Sequence, residues 1–163
     1  MIARTARLVL PAVWLGLILG ISLIETPLKF QAPGITIPLG LGIGRLVFAA
    51  MNVAEAALAL LLLLAVFRSH APRSERVLAF MLAAVLALKA LVVRPLVQGT
   101  TDAVVAGERE GGSGMHLLYI AADGLLIVGL LALLTMAART LLRSGVPDAL
   151  RGAGADDGRP SGG

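Results

Sequence analysis

The sequence predicts an all-α protein, an integral membrane four-helix bundle with both termini in the cytoplasm. Three observations lead to this prediction: the composition, four long apolar segments and the distribution of basic residues around them. Apolar residues make up 58% of the 163 residues and charged residues 15%, whereas a typical soluble domain is about 45–50% apolar and about 25% charged. This composition excludes a disordered chain and argues against a water-soluble enzyme.

Four apolar segments are long enough to cross a bilayer, whose hydrocarbon core of about 30 Å requires about 20 residues of helix. They span residues 8–24, 46–67, 77–97 and 117–138. The first contains no charged residue, and its basic start also resembles a secretory signal. However, the apolar run is long for a signal, and no A-x-A-like cleavage site follows it. We therefore expect an uncleaved first span and a membrane domain over residues 1–143.

Basic residues are distributed unequally between the two sides of the spans. Nine lie on the side of the two termini: Arg4, Arg7, Arg68, Arg73, Arg76, Arg139, Arg143, Arg151 and Arg159. Four lie on the opposite side: Lys29, Arg45, Arg94 and Arg109. Because basic loop residues accumulate on the cytoplasmic side, this distribution predicts that both termini are cytoplasmic. The abundance of Ala, Leu, Gly and Arg favours a bacterial protein, and the membrane is then the inner membrane.

Two segments outside the spans are predicted to be irregular. Residues 26–44 contain three prolines, four glycines and a single charged residue, and this density of helix breakers argues against a continuous helix. Because irregular backbone cannot face lipid, this segment either lies along the outer interface or re-enters the membrane as a lid over a cavity. Residues 144–163 are rich in Gly, Pro, Asp and Arg, which predicts a disordered cytoplasmic tail.

The composition also disfavours several kinds of partner. The chain has no cysteine and two histidines, so we expect neither a metal site nor a cofactor. The net charge is +4, but the basic residues flank apolar runs instead of forming one patch, so nucleic-acid binding is not expected. The expected partner is the lipid bilayer. The Gly-x-x-x-Gly pair Gly16 and Gly20 allows either a homo-oligomer or close packing inside one bundle.

The polar residues inside the spans follow helical stripes. The stripes are Arg45, Phe48, Asn52 and Glu55 on the second span and His116, Tyr119 and Asp123 on the fourth. At a rise of 1.5 Å per residue, Glu55, Lys89 and Asp123 lie at a similar level, roughly 10–15 Å below the outer boundary. Because an unpaired charge at mid-bilayer costs at least about 2.5–3.5 kcal/mol, we expect Lys89 to lie between the two carboxylates.

A second, shallower layer of polar residues is predicted nearer the outer boundary. Its members are Glu25, Arg45, Arg94, His116 and Tyr119. In an α-helix, Lys89 and Arg94 point about 140° apart, so the two basic residues of the third span are expected to face different sides. Arg94 is near enough to the outer interface to extend its head group toward water.

These residues support two interpretations of function. In the first, which we favour, the chain is a structural or accessory protein whose buried ion pairs fix the order and rotation of the helices. In the second, it is a small transporter or a solute- or ion-binding protein with an outward-facing polar cavity. Catalysis has the least support, because no nucleophile motif or metal-ligand spacing accompanies the carboxylates. The candidate binding residues are Glu25, Arg45, Asn52, Glu55, Lys89, Arg94, His116, Tyr119 and Asp123.

Several short motifs lie around the four predicted spans. The first is a TPxKFxAP segment after the first span, formed by Thr26, Pro27, Lys29, Phe30, Ala32 and Pro33. The others are Gly44-Arg45-x-x-Phe48, Asn52-x-x-Glu55, Arg94-Pro95 and His116-x-x-Tyr119. Together these motifs resemble an uncharacterised family of small four-span bacterial integral membrane proteins. The resemblance covers about two-thirds of the chain. It implies a four-span architecture and no particular activity.

Overall fold

The structure is a computed structural model that describes residues 2–106 and 114–144, and all of its regular elements are helices. Helix α1 comprises Ile2–Ile18, a π-helical segment Leu19–Glu25 and Thr26–Lys29. Helix α2 is Ile37–Arg68. Helix α3 comprises Arg73–Leu88, a second π-helical segment Lys89–Val93 and Arg94–Val105, and α4 is Gly114–Ser144. The all-α fold class is therefore confirmed. The predicted tail lies outside the described residues, apart from Ser144.

The four helices form a closed ring. Each packs against the next along the chain, and α4 packs back against α1. Connections over residues 30–36 and 69–72 join successive helices, so neighbouring helices run antiparallel as in an up-and-down bundle. We refer to the two ends of the bundle as the 30–36 end and the 69–72 end.

The outer surface of the bundle is apolar. Four helices are long and apolar enough to cross a membrane: Ile2–Lys29, Ile37–Arg68, Arg73–Leu96 and Leu117–Leu142. No more than 28% of the most apolar stretch of any of them is buried inside the bundle. Large side chains such as Leu46, Val53 and Leu91 are 71–76% exposed. Because a contiguous apolar surface of this extent suits lipid, the chain has the form of a multi-pass membrane protein.

Both π-helical segments end directly before a residue that precedes proline. The N–H of Thr26, before Pro27, donates to the carbonyl of Ile21, and the N–H of Arg94, before Pro95, donates to that of Lys89. Proline has no N–H, and in an α-helix its ring collides with the carbonyl four residues earlier. The wider π turn relieves this conflict. Helices α1 and α3 therefore continue beyond residues 24 and 97, where the sequence predicted their spans to end.

The prediction of an irregular segment over residues 26–44 is wrong. Only residues 30–36 lie outside the helices, and Gly34 makes the turn there with a φ of +83°. Helix α2 begins at Ile37, and its Leu39 N–H donates to the side chain of Thr36 at 3.4 Å. Pro38 lies in the first helical turn, where the missing N–H has no helical partner to lose. The segment is thus mostly helical and is neither an irregular interfacial loop nor an irregular re-entrant one.

Candidate functional site

Three charged side chains meet in the interior of the bundle. The Lys89 ammonium donates to Glu55 Oε2 at 2.9 Å, to Glu55 Oε1 at 3.2 Å and to Asp123 Oδ1 at 2.5 Å. The side chains of Lys89 and Glu55 are fully buried, and that of Asp123 is 6% exposed. Lys89 therefore lies between the two carboxylates, as its depth along α3 predicted. We call these three residues the buried trio.

Helix α1 completes the pairing of the trio. Trp14 Nε1 donates to Glu55 Oε1 at 3.1 Å, and Ser22 Oγ donates to Asp123 Oδ2 at 2.7 Å. Since an ammonium has three donors, Lys89 uses all of its hydrogen-bonding capacity, and each carboxylate has a second donor from α1. All four helices thus contribute to one network. The sequence analysis did not predict these contacts of Trp14 and Ser22.

Two residues of the predicted shallower layer form ion pairs with residues outside it. Glu25 accepts a hydrogen bond from Lys29 at 3.3 Å, four residues along α1. Arg45 pairs with Asp102 at 2.6 Å in a contact whose side chains are 49% and 56% exposed. Each of these two residues thus has an ion-pair partner that the prediction did not include. The spacing of Glu25 and Lys29 was a usable signal for the first pair.

Tyr119 and Asn52 remain beside the trio. The Tyr119 ring packs edge-on against Phe48, with ring centroids 5.2 Å apart, and the Lys89 ammonium lies 4.7 Å from its centroid. Among the described residues, the Tyr119 hydroxyl and both polar atoms of the Asn52 amide are buried without a hydrogen-bond partner. The side chain of His116 lies outside the described side chains.

A second buried ion pair lies nearer the 69–72 end. Arg7 Nε donates to Glu75 Oε2 at 2.9 Å, and the Arg7 guanidinium makes a further contact with the same oxygen. Thr140 Oγ1 donates to Glu75 Oε1 at 2.9 Å. The sequence interpretation counted Arg7 as a flanking charge and did not single out Glu75. The available signal was a lone acidic residue between Arg73 and Arg76 at the start of a span.

The described residues do not contain a group of three or more metal-ligating side chains. Comparison with family models, with curated proteins and with solved structures finds no match for this chain. The arrangement of its own residues is therefore what bears on function. That arrangement has two parts: a fully paired trio, and unpartnered polar atoms next to it.

Proposed function

We propose that this chain is a structural or accessory protein of the bacterial inner membrane, and that the buried trio fixes the order and rotation of its helices. The complete pairing of the trio supports this proposal most directly. Every donor of Lys89 is used, and residues of all four helices take part. A site that exchanges a solute needs groups that the ligand can satisfy, and the trio leaves none on the ammonium.

We also propose the orientation with both termini in the cytoplasm, which the excess of basic residues on that side supports. Membership of the uncharacterised four-span family is likewise a proposal. Two of its motifs, Thr26-Pro27 and Arg94-Pro95, coincide with the ends of the two π-helical segments, so these motifs have a structural reason in this chain.

Cysteine labelling in intact cells tests the structural role, because the chain has no native cysteine. Ser22→Cys is close to isosteric and places a thiol beside the trio. We expect it to be protected from a small membrane-impermeant thiol reagent added outside. Arg45→Cys, which replaces an exposed side chain, is the labelled control. Labelling of Ser22→Cys at a similar rate would show that water reaches the trio and would contradict the structural proposal.

A second candidate function is the binding or transport of a small polar solute. One observation favours it, namely the unpartnered polar atoms of Asn52 and Tyr119 beside the trio. In the same labelling experiment, Asn52→Cys separates the two functions. Labelling of Asn52→Cys, with Ser22→Cys protected, would indicate a cavity that reaches Asn52 while water is excluded from the trio.

We further propose that Gly16 and Gly20 form a contact between two copies of the chain. A Cβ atom at either position would meet nothing within 4 Å, so this pair is not used for packing among the described residues. Close helix approach through such a pair is common in membranes. We expect Gly16→Leu with Gly20→Leu to convert a dimer into a monomer in sedimentation measurements in detergent. Gly124→Leu, at an equally open glycine of α4, is the control. A monomeric unmodified protein would contradict the proposal.

A further inference from the structure

Three polar groups near the buried trio have no hydrogen-bond partner in the part of the chain that the structure describes. They are the Asn52 amide, the Tyr119 hydroxyl and the Nε of Arg94, and all of these atoms are buried. Asn52 and Tyr119 are each only 6% exposed. Buried polar groups in native proteins are almost always hydrogen-bonded, and exceptions call for an explanation such as an unseen ligand or water.

Asn52 and Tyr119 lie on facing sides of α2 and α4. The ring of Tyr119 contacts Phe48, one turn before Asn52, and it also contacts Lys89, which is held by Glu55, one turn after Asn52. Asn52 therefore lies between Phe48, which contacts Tyr119, and Glu55, whose partner Lys89 contacts Tyr119. Phe48, Asn52 and Glu55 lie on one helical stripe, so the Asn52 amide is on the same side of α2 as Phe48 and Glu55.

Arg94 lies one π turn beyond Lys89 on α3, and its backbone N–H donates to the Lys89 carbonyl. The segment that begins at Arg94 packs against both α2 and α4. The preceding π turn explains this position, because its backbone bond joins Arg94 to the carbonyl of Lys89. Residues five apart thus come closer to the same side than the 140° that separates them in an α-helix.

The acidic residues nearest the trio are paired with other cations. Lys89 pairs with Glu55 and Asp123, Lys29 pairs with Glu25, and Arg45 pairs with Asp102. Within residues 2–106 and 114–144, no carboxylate forms an ion pair with Arg94.

We propose that Arg94, Asn52 and Tyr119 bind an oxyanion, meaning the carboxylate or phosphate group of a small solute or of a lipid head group. The guanidinium supplies the positive charge and planar donors that suit such groups. The Asn52 N–H and the Tyr119 O–H donate to the remaining oxygens. This inference goes beyond the structural role proposed for the trio and does not depend on it.

Thermal unfolding of the full chain in dodecyl maltoside tests the site, because a ligand that binds the folded state raises the unfolding midpoint. Potassium acetate and potassium phosphate are compared with potassium chloride at equal ionic strength, and a short-chain phosphatidylglycerol forms a third arm. We expect at least one of these oxyanions to raise the midpoint. A response to acetate or phosphate indicates a free solute, and a response to the lipid alone indicates a head group.

Variants connect the response to the three residues. Arg94→Gln is expected to weaken the apparent affinity at least tenfold, since it removes a charge-assisted hydrogen bond. Tyr119→Phe and Asn52→Leu are expected to weaken it as well, because each removes a donor to the bound oxyanion. Arg45→Gln is the matched control and should respond like the unmodified chain. The proposal is overturned if no oxyanion raises the midpoint, which would leave water as the occupant, or if Arg94→Gln responds fully.

Discussion

Replacing Lys89 by methionine should destabilise the bundle strongly, because it removes the cation of the buried trio and keeps a side chain of similar length. The substitution deletes three hydrogen bonds and leaves Glu55 and Asp123 facing each other in the interior. Loss of one partner of a buried ion pair costs about 3–5 kcal/mol, most of which is the penalty of the uncompensated charge that remains. We expect a loss of this size in the free energy of unfolding.

Trp14 provides the assay, since it is the single tryptophan of the chain and donates to Glu55. Its fluorescence can follow reversible unfolding of the detergent-solubilised protein by dodecyl sulfate. Lys29→Met is the matched control. Its carboxylate partner Glu25 is 31% exposed and stays hydrated, so we expect a loss of about 1 kcal/mol or less.

The neutral triple variant separates charge from packing. Combining Lys89→Met with Glu55→Gln and Asp123→Asn removes the uncompensated charges and retains similar volumes. It should recover most of the stability lost by Lys89→Met alone, since apolar or neutral replacements of whole buried ion pairs are often tolerated. A loss below about 1 kcal/mol for Lys89→Met, or a triple variant no more stable than the single one, would refute the reasoning.

Two further predictions concern the packing of the helices. Glu75→Gln should lower the free energy of unfolding by about 3–5 kcal/mol, because Arg7 then stays buried without a counter-ion; a loss typical of surface substitutions, in the same fluorescence assay, would contradict this. Gly129→Ala should cost about 1–3 kcal/mol, since its Cβ would lie 2.6 Å from Leu82 Cδ2. Gly124→Ala, with nothing within 4 Å, should instead be neutral or stabilising by up to about 1 kcal/mol, and equal losses for both alanines would count against close packing.

The buried trio could be predicted from the sequence because depth and charge constrain it together. Lys89, Glu55 and Asp123 fall at one level of three different spans, and a lone charge at that level is costly. The Arg7–Glu75 pair carries no such signal. Arg7 lies near a span end, where a basic residue is expected for reasons of orientation, and Glu75 stands between Arg73 and Arg76. Only the contacts of Glu75 on α3 with Arg7 on α1 and Thr140 on α4 show which of these charges is buried.

The segment over residues 26–44 was mispredicted because glycines and prolines were counted without regard to position. Pro38 occupies the first turn of α2, where proline is well tolerated. Gly44 faces another side chain closely, since a Cβ there would lie 2.8 Å from Lys29 Nζ. Glycines of this kind mark close approach inside a helical structure and not a break in it. The distinction depends on what packs against each residue, which the sequence does not display.

The same prolines connect the irregular parts of α1 and α3 to the polar interior. Pro27 and Pro95 follow π-helical segments that contain Ser22 and Lys89, respectively, and these two side chains donate to different oxygens of Asp123. A regular helix would separate Lys89 from Arg94 by about 140°, whereas the π turn bonds the backbone of one to that of the other. The π turn thus allows two residues of α3, Lys89 and Arg94, to contribute to two neighbouring layers of polar residues. Lys89 closes the fully paired layer, and Arg94 faces the layer whose polar atoms have no partner. A structural function for the first layer and a binding function for the second are therefore compatible in one bundle.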